Sequence, residues 1–174
     1  MSLQVKAGLS VLCAAWMSSL FAAWGNANFG GSKDALGRYY FHDKANWGGV
    51  DPKYTTSATD PGLGLNAGTQ WFTLADDFTS TRLVIQAVGS KHGIDLAGHT
   101  LTLKGSMRSY SDDNGFTVSN GTLSIVNEYQ VGSQQSGKLD PTKDYLIVTG
   151  PNTTFSAANL YWLFVHDCGY SFAA

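Results

Sequence analysis

Apolar residues in this chain fall two apart in short runs, and the runs recur. In "GIDLAGHTLTLKG" (93–105), Ile94 and Leu96 precede a small-residue corner, and Leu101 and Leu103 follow it. Twenty-two residues downstream, "GFTVSNGTLSIVN" (115–127) sets Phe116, Val118, Leu123 and Ile125 at the same relative positions. The corners, "AGHT" and "SNGT", correspond as well. Alternation with a period of two predicts strands with one apolar face. Its return at a fixed spacing predicts stacked units rather than a single hairpin. On that template Ile94 stacks on Phe116 and Leu101 on Leu123. A unit this short has no means of burying its own apolar face, and stacking supplies the cover.

Two further runs follow the pattern. "YLIVTGPNTTFSAANL" (145–160) places Leu146, Val148, Phe155 and Ala157 around a wider corner. "LFVHDCGYSF" (163–172) places Leu163, Val165, Tyr170 and Phe172 at the spacing of 94, 96, 101 and 103. Between the second and third units, "EYQVGSQQSGKLDPTKD" (128–144) is polar and reads as an inserted loop. Upstream, "TQWFTLADDF" (69–78) and "TRLVIQAVG" (81–89) read as strands. Residues 28–70 are rich in Gly, Asp, Asn and aromatics with weak periodicity, so they read as an irregular N-terminal cap, and the rungs are expected over 71–174.

The first 27 residues carry a different pattern. Lys6 sits in a short polar start, residues 7–24 form an uncharged apolar run, and small residues follow. This layout predicts a signal-peptide helix over 1–27, with cleavage after Ala22, Ala23 or Ala27. An uncleaved membrane anchor is the alternative, since the apolar run is nearly long enough to span. Ser10-Val11-Leu12 lacks the small residues a lipidated Cys13 would need. Cleavage leaves Cys168 as the sole cysteine, so no intrachain disulfide is expected and the core must hold the fold.

Composition narrows the function classes. Charged residues make up 14% of the chain, 11 basic against 13 acidic, which leaves no basic footprint for nucleic acid and no polybasic membrane patch. Twenty glycines against four prolines suit strands and turns. The expected class is all-β. Stacked parallel rungs fit better than a sandwich of hairpins, whose evenly spaced turn signals are less well met.

"IDLAGHTLTLKG" followed by "GFTVSNGTLSIVN" resembles the rungs of pectin-lyase-like right-handed parallel β-helices. More narrowly, the chain resembles the start of bacterial autotransporter-type passenger proteins, where a signal peptide leads into a W-x-D-x-x-N-W motif, a Gly-rich stretch and a Pro. "FHDKANWGGVDP" (41–52) has Phe41 for the first aromatic, then Asp43, Asn46, Trp47, Gly48, Gly49 and Pro52. "LIVTGPNTTFSA" (146–157) is similar to the V-T-G-x-x-T rungs of those proteins. The resemblance covers about residues 41–174. It implies a right-handed parallel β-helix with an N-terminal cap, in an exported, non-catalytic surface or secreted passenger of adhesin or scaffold type. Host or surface glycans or proteins would be its partners. The 174 residues do not include the C-terminal β-barrel translocator that the resemblance leads one to expect, and the last apolar pair ends at Phe172. On that reading the chain is an N-terminal fragment whose last rung is open to self-association. The runner-up is a carbohydrate-active enzyme of the polysaccharide-lyase kind, or a sugar-binding module.

No catalytic, cofactor or metal residue emerges from the sequence. Asp76-Asp77 and Asp112-Asp113 are adjacent pairs that on a strand would face opposite sides. Asp112 and Asn114 could ligate Ca²⁺ in a turn, although turn capping explains them with less. Lys104 and Arg108 lie near Asp112 in sequence, short of the acidic cluster and basic residue that the lyases of this fold use. His42, His92, His99 and His166 show no metal spacing, and Cys168 has no base beside it in sequence. Tyr39, Tyr40, Phe41 and Trp47 could stack on sugars, but covering the bottom of the stack is the expected use. Asn120-Gly121-Thr122 and Asn152-Thr153-Thr154 are read as turns rather than glycosylation sites.

Overall fold

The structure, a computed structural model, describes residues 24–55, 62–65, 70–85, 92–109, 116–131, 144–162 and 169–173. Its strands are β1 (Trp24–Asn26), β2 (Tyr39–Tyr40), β3 (Gly62–Leu65), β4 (Trp71–Thr73), β5 (Phe78–Ser80), β6 (Arg82–Ile85), β7 (His92–Asp95), β8 (Thr100–Leu103), β9 (Met107–Ser109), β10 (Phe116–Ser119), β11 (Thr122–Val131), β12 (Asp144–Thr149), β13 (Thr154–Trp162) and β14 (Gly169–Ala173). They form a six-stranded and an eight-stranded sheet in which every strand pair is parallel. The protein is all-β, as expected.

The pairings resolve into three ladders. One runs β2-β4-β7-β10-β12-β14. A second joins β5, β8 and the first half of β11. The third joins β1, β3, β6, β9 and the second half of β11. Ten residues long, β11 belongs to two ladders at once, pairing β8 through 122–125 and β9 through 129–131, and its pairing with β13 shifts register between Ile125 and Glu128. From β4 onward the chain visits the ladders in one cyclic order, so the sheet curls around a shared interior.

That interior is the apolar column which the alternation predicts. Ile94, Leu96, Leu101, Leu103, Phe116, Val118, Leu123 and Ile125 are each at most 1% exposed and share one cluster. Phe78, Leu101, Leu123 and Phe155 stack in line, as do Leu63, Leu83, Met107 and Tyr129. The third unit pairs as expected, with Leu146 and Val148 beside Phe116 and Val118, and with Phe155 and Ala157 beside Leu123 and Ile125.

Two details of register differ from the expectation. Val118, not Phe116, lies beside Ile94, and Phe116 lies beside His92. The first unit's corner is longer by the stretch that contains Leu96, which turns inward at the corner instead of continuing the ladder. Leu96 and His99 fill the space over Gly121, where a Cβ would meet the His99 carbonyl oxygen at 2.4 Å and the Leu96 Cβ at 2.6 Å. The last unit also shifts: Phe172 lies beside Val148, in the ladder of Ile94 rather than that of Leu103. Leu163 and Val165 lie outside the described residues.

Parallel pairing starts upstream of Trp71. β3 occupies "GLGL", and β1 falls inside the segment read as a signal peptide. The glycines of β3 are explained by Trp24, whose ring lies where side chains at Gly62 and Gly64 would project, within 2.2 Å and 2.7 Å of their Cβ positions. Arg82 sits over the same ring, 5.2 Å from its centroid.

The cap is built from the motif residues at 41–52. Asp43 caps a four-residue 3-10 helix, Lys44–Trp47, which ends at Gly48 with φ of 65°. The Asp43 carboxylate accepts from the Ser32 hydroxyl at 2.6 Å, the Ser32 amide at 2.8 Å and the Ala45 amide at 2.9 Å. These bonds, the Ser32 hydroxyl foremost, hold its pKa down at about 2. Asn46 donates to the Tyr40 carbonyl and accepts from Gly31. Trp47, fully buried, donates to the Phe41 carbonyl at 2.7 Å and stacks flat on Phe72 with centroids 4.9 Å apart. Tyr39 and Phe41 are buried with it, so three of the four cap aromatics plug the column. A polar chain outside ties cap to rungs: Asp95 accepts from Arg38 and from Asn120, and the Asn120 amide donates to Thr153.

Val118→Asp is expected to cost several kcal/mol, because it places an unpaired charge in a column where Val118 has no exposure. Thr102→Asp, at a half-buried position between Leu101 and Leu103, should cost far less. Equal losses in denaturant unfolding would contradict the assigned faces. His92 supplies a second test. It is 2% exposed and neither ring nitrogen has a hydrogen-bond partner among the described residues, so desolvation pushes its pKa down; the nearby Gln70 backbone offsets part of this without reaching hydrogen-bond geometry. Its unfolded form then binds protons first, so stability is full above the ordinary histidine pKa and falls below it. Wild type should lose more melting temperature than His92→Leu between about pH 7.5 and about pH 5. Asp43 adds nothing across that window, since its contribution is lost only as pH falls from the ordinary carboxylate range through about 2.

Candidate functional site

One concave site among the described residues combines room with chemistry. It arises because β5 is the edge strand of its ladder and requires cover. A strap at residues 51–54 supplies it, running antiparallel to β5. The Ser80 hydroxyl donates to the Pro52 carbonyl at 2.6 Å, Lys53 bridges Ser80, and the Tyr54 amide donates to the Thr79 carbonyl at 3.0 Å. The strap and the bend before β5 diverge above this seam, leaving a cleft of about 580 Å³. Asp51, Lys53 and Tyr54 line one wall, Asp76, Asp77, Phe78 and Thr79 the other, and His42 reaches in from the cap. That volume lies within the range of small-ligand sites.

The two aspartates expected on opposite faces instead share the cleft, because residues 75–76 form a bend rather than strand. Their roles differ. Asp77 accepts the Thr100 amide at 2.8 Å, which starts β8, and has the His99 ring 3.7 Å away. Asp51 accepts the Lys53 amide at 2.9 Å and shapes the strap. Asp76 is exposed, and its carboxylate has no partner among the described residues. The same holds for the Lys53 ammonium, the Tyr54 hydroxyl and the His42 ring nitrogens. His42 adjoins aromatic rings on both sides, Tyr40 at 5.3 Å and Phe78 at 6.1 Å between centroids.

The other candidates disperse. Arg108 projects from β9 in line with Val84 and Gln130, and Lys104 lies in the corner after β8. Asp112, Asp113, Asn114, His166 and Cys168 lie outside the described residues. Asn120 is committed to Asp95, and Asn152 sits exposed in a turn. Among the described residues, no group of three or more His, Cys, Asp or Glu side chains is placed to hold a metal ion. Sequence reading missed the cleft because its walls come from segments some 25 residues apart, joined only by edge-strand cover. The adjacent Asp76-Asp77 pair was the one signal available. Compared with known proteins, the chain matches no family model, no curated protein sequence and no solved structure.

The geometry separates a structural carboxylate from a free one. Asp77→Ala should lower stability by about 1 kcal/mol through the orphaned Thr100 amide, whereas Asp76→Ala should stay within about 0.5 kcal/mol of wild type. Thermal unfolding of the two variants checks this, and the reverse order would contradict the assignment.

Proposed function

We propose that this chain is a pectin-lyase-like right-handed parallel β-helix that serves as the N-terminal part of an exported, non-catalytic passenger, presented at the cell surface or secreted, with an adhesive or scaffolding role. The observation that carries the reading is the cap. Phe41, Asp43, Asn46, Trp47, Gly48 and Pro52, the residues of the passenger-like motif, are the ones that close the bottom of the stack. Three parallel ladders visited in one cyclic order support the β-helix, and parallel crossovers are right-handed in nearly all known cases. The apolar run ahead of Trp24 supports export.

The runner-up, a sugar-directed protein, has one observation in its favour, which is the cleft beside the cap. Its enzymatic form is the weaker half. The cleft carries three carboxylates against one lysine, a field that repels acidic polysaccharides.

Export is tested by expressing the full chain in a Gram-negative host and weighing the product. Loss of the N-terminal segment at Ala22, Ala23 or Ala27 is expected in the exported fraction. Intact Met1 in a membrane fraction would overturn the export reading. Incubation with pectate, with and without Ca²⁺, should yield no unsaturated products, and their appearance would favour the lyase.

A further inference from the structure

We propose that the cleft between the 51–54 strap and the bend at 75–79 binds a neutral saccharide, with Tyr54 and Phe78 as stacking surfaces and Asp76 as the principal hydrogen-bond acceptor. This deepens the adhesive side of the proposed function and rests on it only for where the glycan is met.

The lining decides the ligand class by what it offers and what it repels. Both aromatic rings are half-buried in the walls: Tyr54 is fixed by its backbone bond to Thr79, and Phe78 by its pairing beside Leu101 and its ring contacts with Phe41 and His42, so the area they leave exposed is presented at little further ordering cost. Apolar faces of a pyranose suit such surfaces. Its hydroxyls both donate and accept, and the cleft answers with both kinds of group: the Asp76 carboxylate to accept, the Lys53 ammonium to donate, and the Tyr54 hydroxyl and His42 ring for either. None of these groups makes a hydrogen bond elsewhere among the described residues. A purely apolar ligand would strand them without partners, which costs binding energy.

Charge removes the anionic classes. Asp51, Asp76 and Asp77 against Lys53 disfavour uronic acids, sulfated glycans and phosphates. A divalent cation lacks a ligand set, since no three metal-ligating side chains converge here. A neutral saccharide remains, held by hydroxyl groups on a free carboxylate and by ring stacking. The open mouth suits a chain end or side branch of a larger glycan better than an enclosed small molecule.

The experiment uses the purified protein, with its N-terminal segment retained or removed, on an array carrying neutral, amino-sugar and uronic-acid oligosaccharides. Retention on neutral glycans is expected, followed by a Kd from calorimetry with the best neutral oligosaccharide. Asp76→Ala and Tyr54→Phe should each weaken that Kd, the former about tenfold or more for a lost charge-assisted hydrogen bond. Asn152→Ala, in an exposed turn outside the cleft, should leave it unchanged. Asp76→Ala is expected to retain the fold, and its melting temperature monitors this, so that lost binding is distinguished from unfolding. No retention on neutral glycans, retention on uronic acids alone, or binding indifferent to Asp76→Ala would each overturn the proposal. Export with cleavage would stand or fall on the mass measurement, whatever the array shows.

Discussion

A parallel stack is held by backbone hydrogen bonds that repeat from rung to rung, so its first rung has nothing beneath it. Everything else in this protein depends on closing that end. The closure is an aromatic plug: Trp47 lies flat on Phe72, Phe41 meets both rings edge-on, and Asp43 and Asn46 fix the short helix that delivers Trp47. Two antiparallel bridges, Lys33 to Tyr39 and Lys53 to Ser80, finish the strand edges which the plug does not reach.

The candidate site is a by-product of that closure. A strap lying on an edge strand must leave it again, and the point of departure makes a groove. Binding clefts commonly occur where rigid elements part, and loops held by such a scaffold are free to carry function. Here the hydrogen bonds that protect β5 also hold Tyr54 and Phe78 in place, so cap stability and site geometry are one property.

Much of the fold was legible in the sequence because period-two alternation is a direct statement about faces. The eight alternating apolar residues of 93–105 and 115–127 are all core, and three of the four cap aromatics fell where end closure required them. What was not legible has physical causes. "GLGL" at β3 hides its strand character because Trp24, distant in sequence, takes the place of its outward side chains. The slip of Ile94 onto Val118 depends on a corner whose extra length folds inward, and periodicity is blind to which residues a corner absorbs. The cleft was invisible for a third reason: its walls meet only through tertiary hydrogen bonds, and neighbours in sequence such as Asp76 and Asp77 were expected to diverge on a strand that is in fact a bend.

The inward corner at Leu96 has a bearing on how the chain finds its pairing. In a repetitive fold the rungs resemble one another, and an apolar strand can settle beside the wrong neighbour with little energetic warning. The long corner at 97–100 is a shape that the shorter one at Gly121 receives and that any larger residue there would reject. In the native stack β10 and β11 lie beside β7 and β8 with the bare glycine against Leu96 and His99, a fit that a side chain at 121 would obstruct. A chain of interchangeable rungs would need order imposed from outside. This one carries part of its order in the mismatch between two corners.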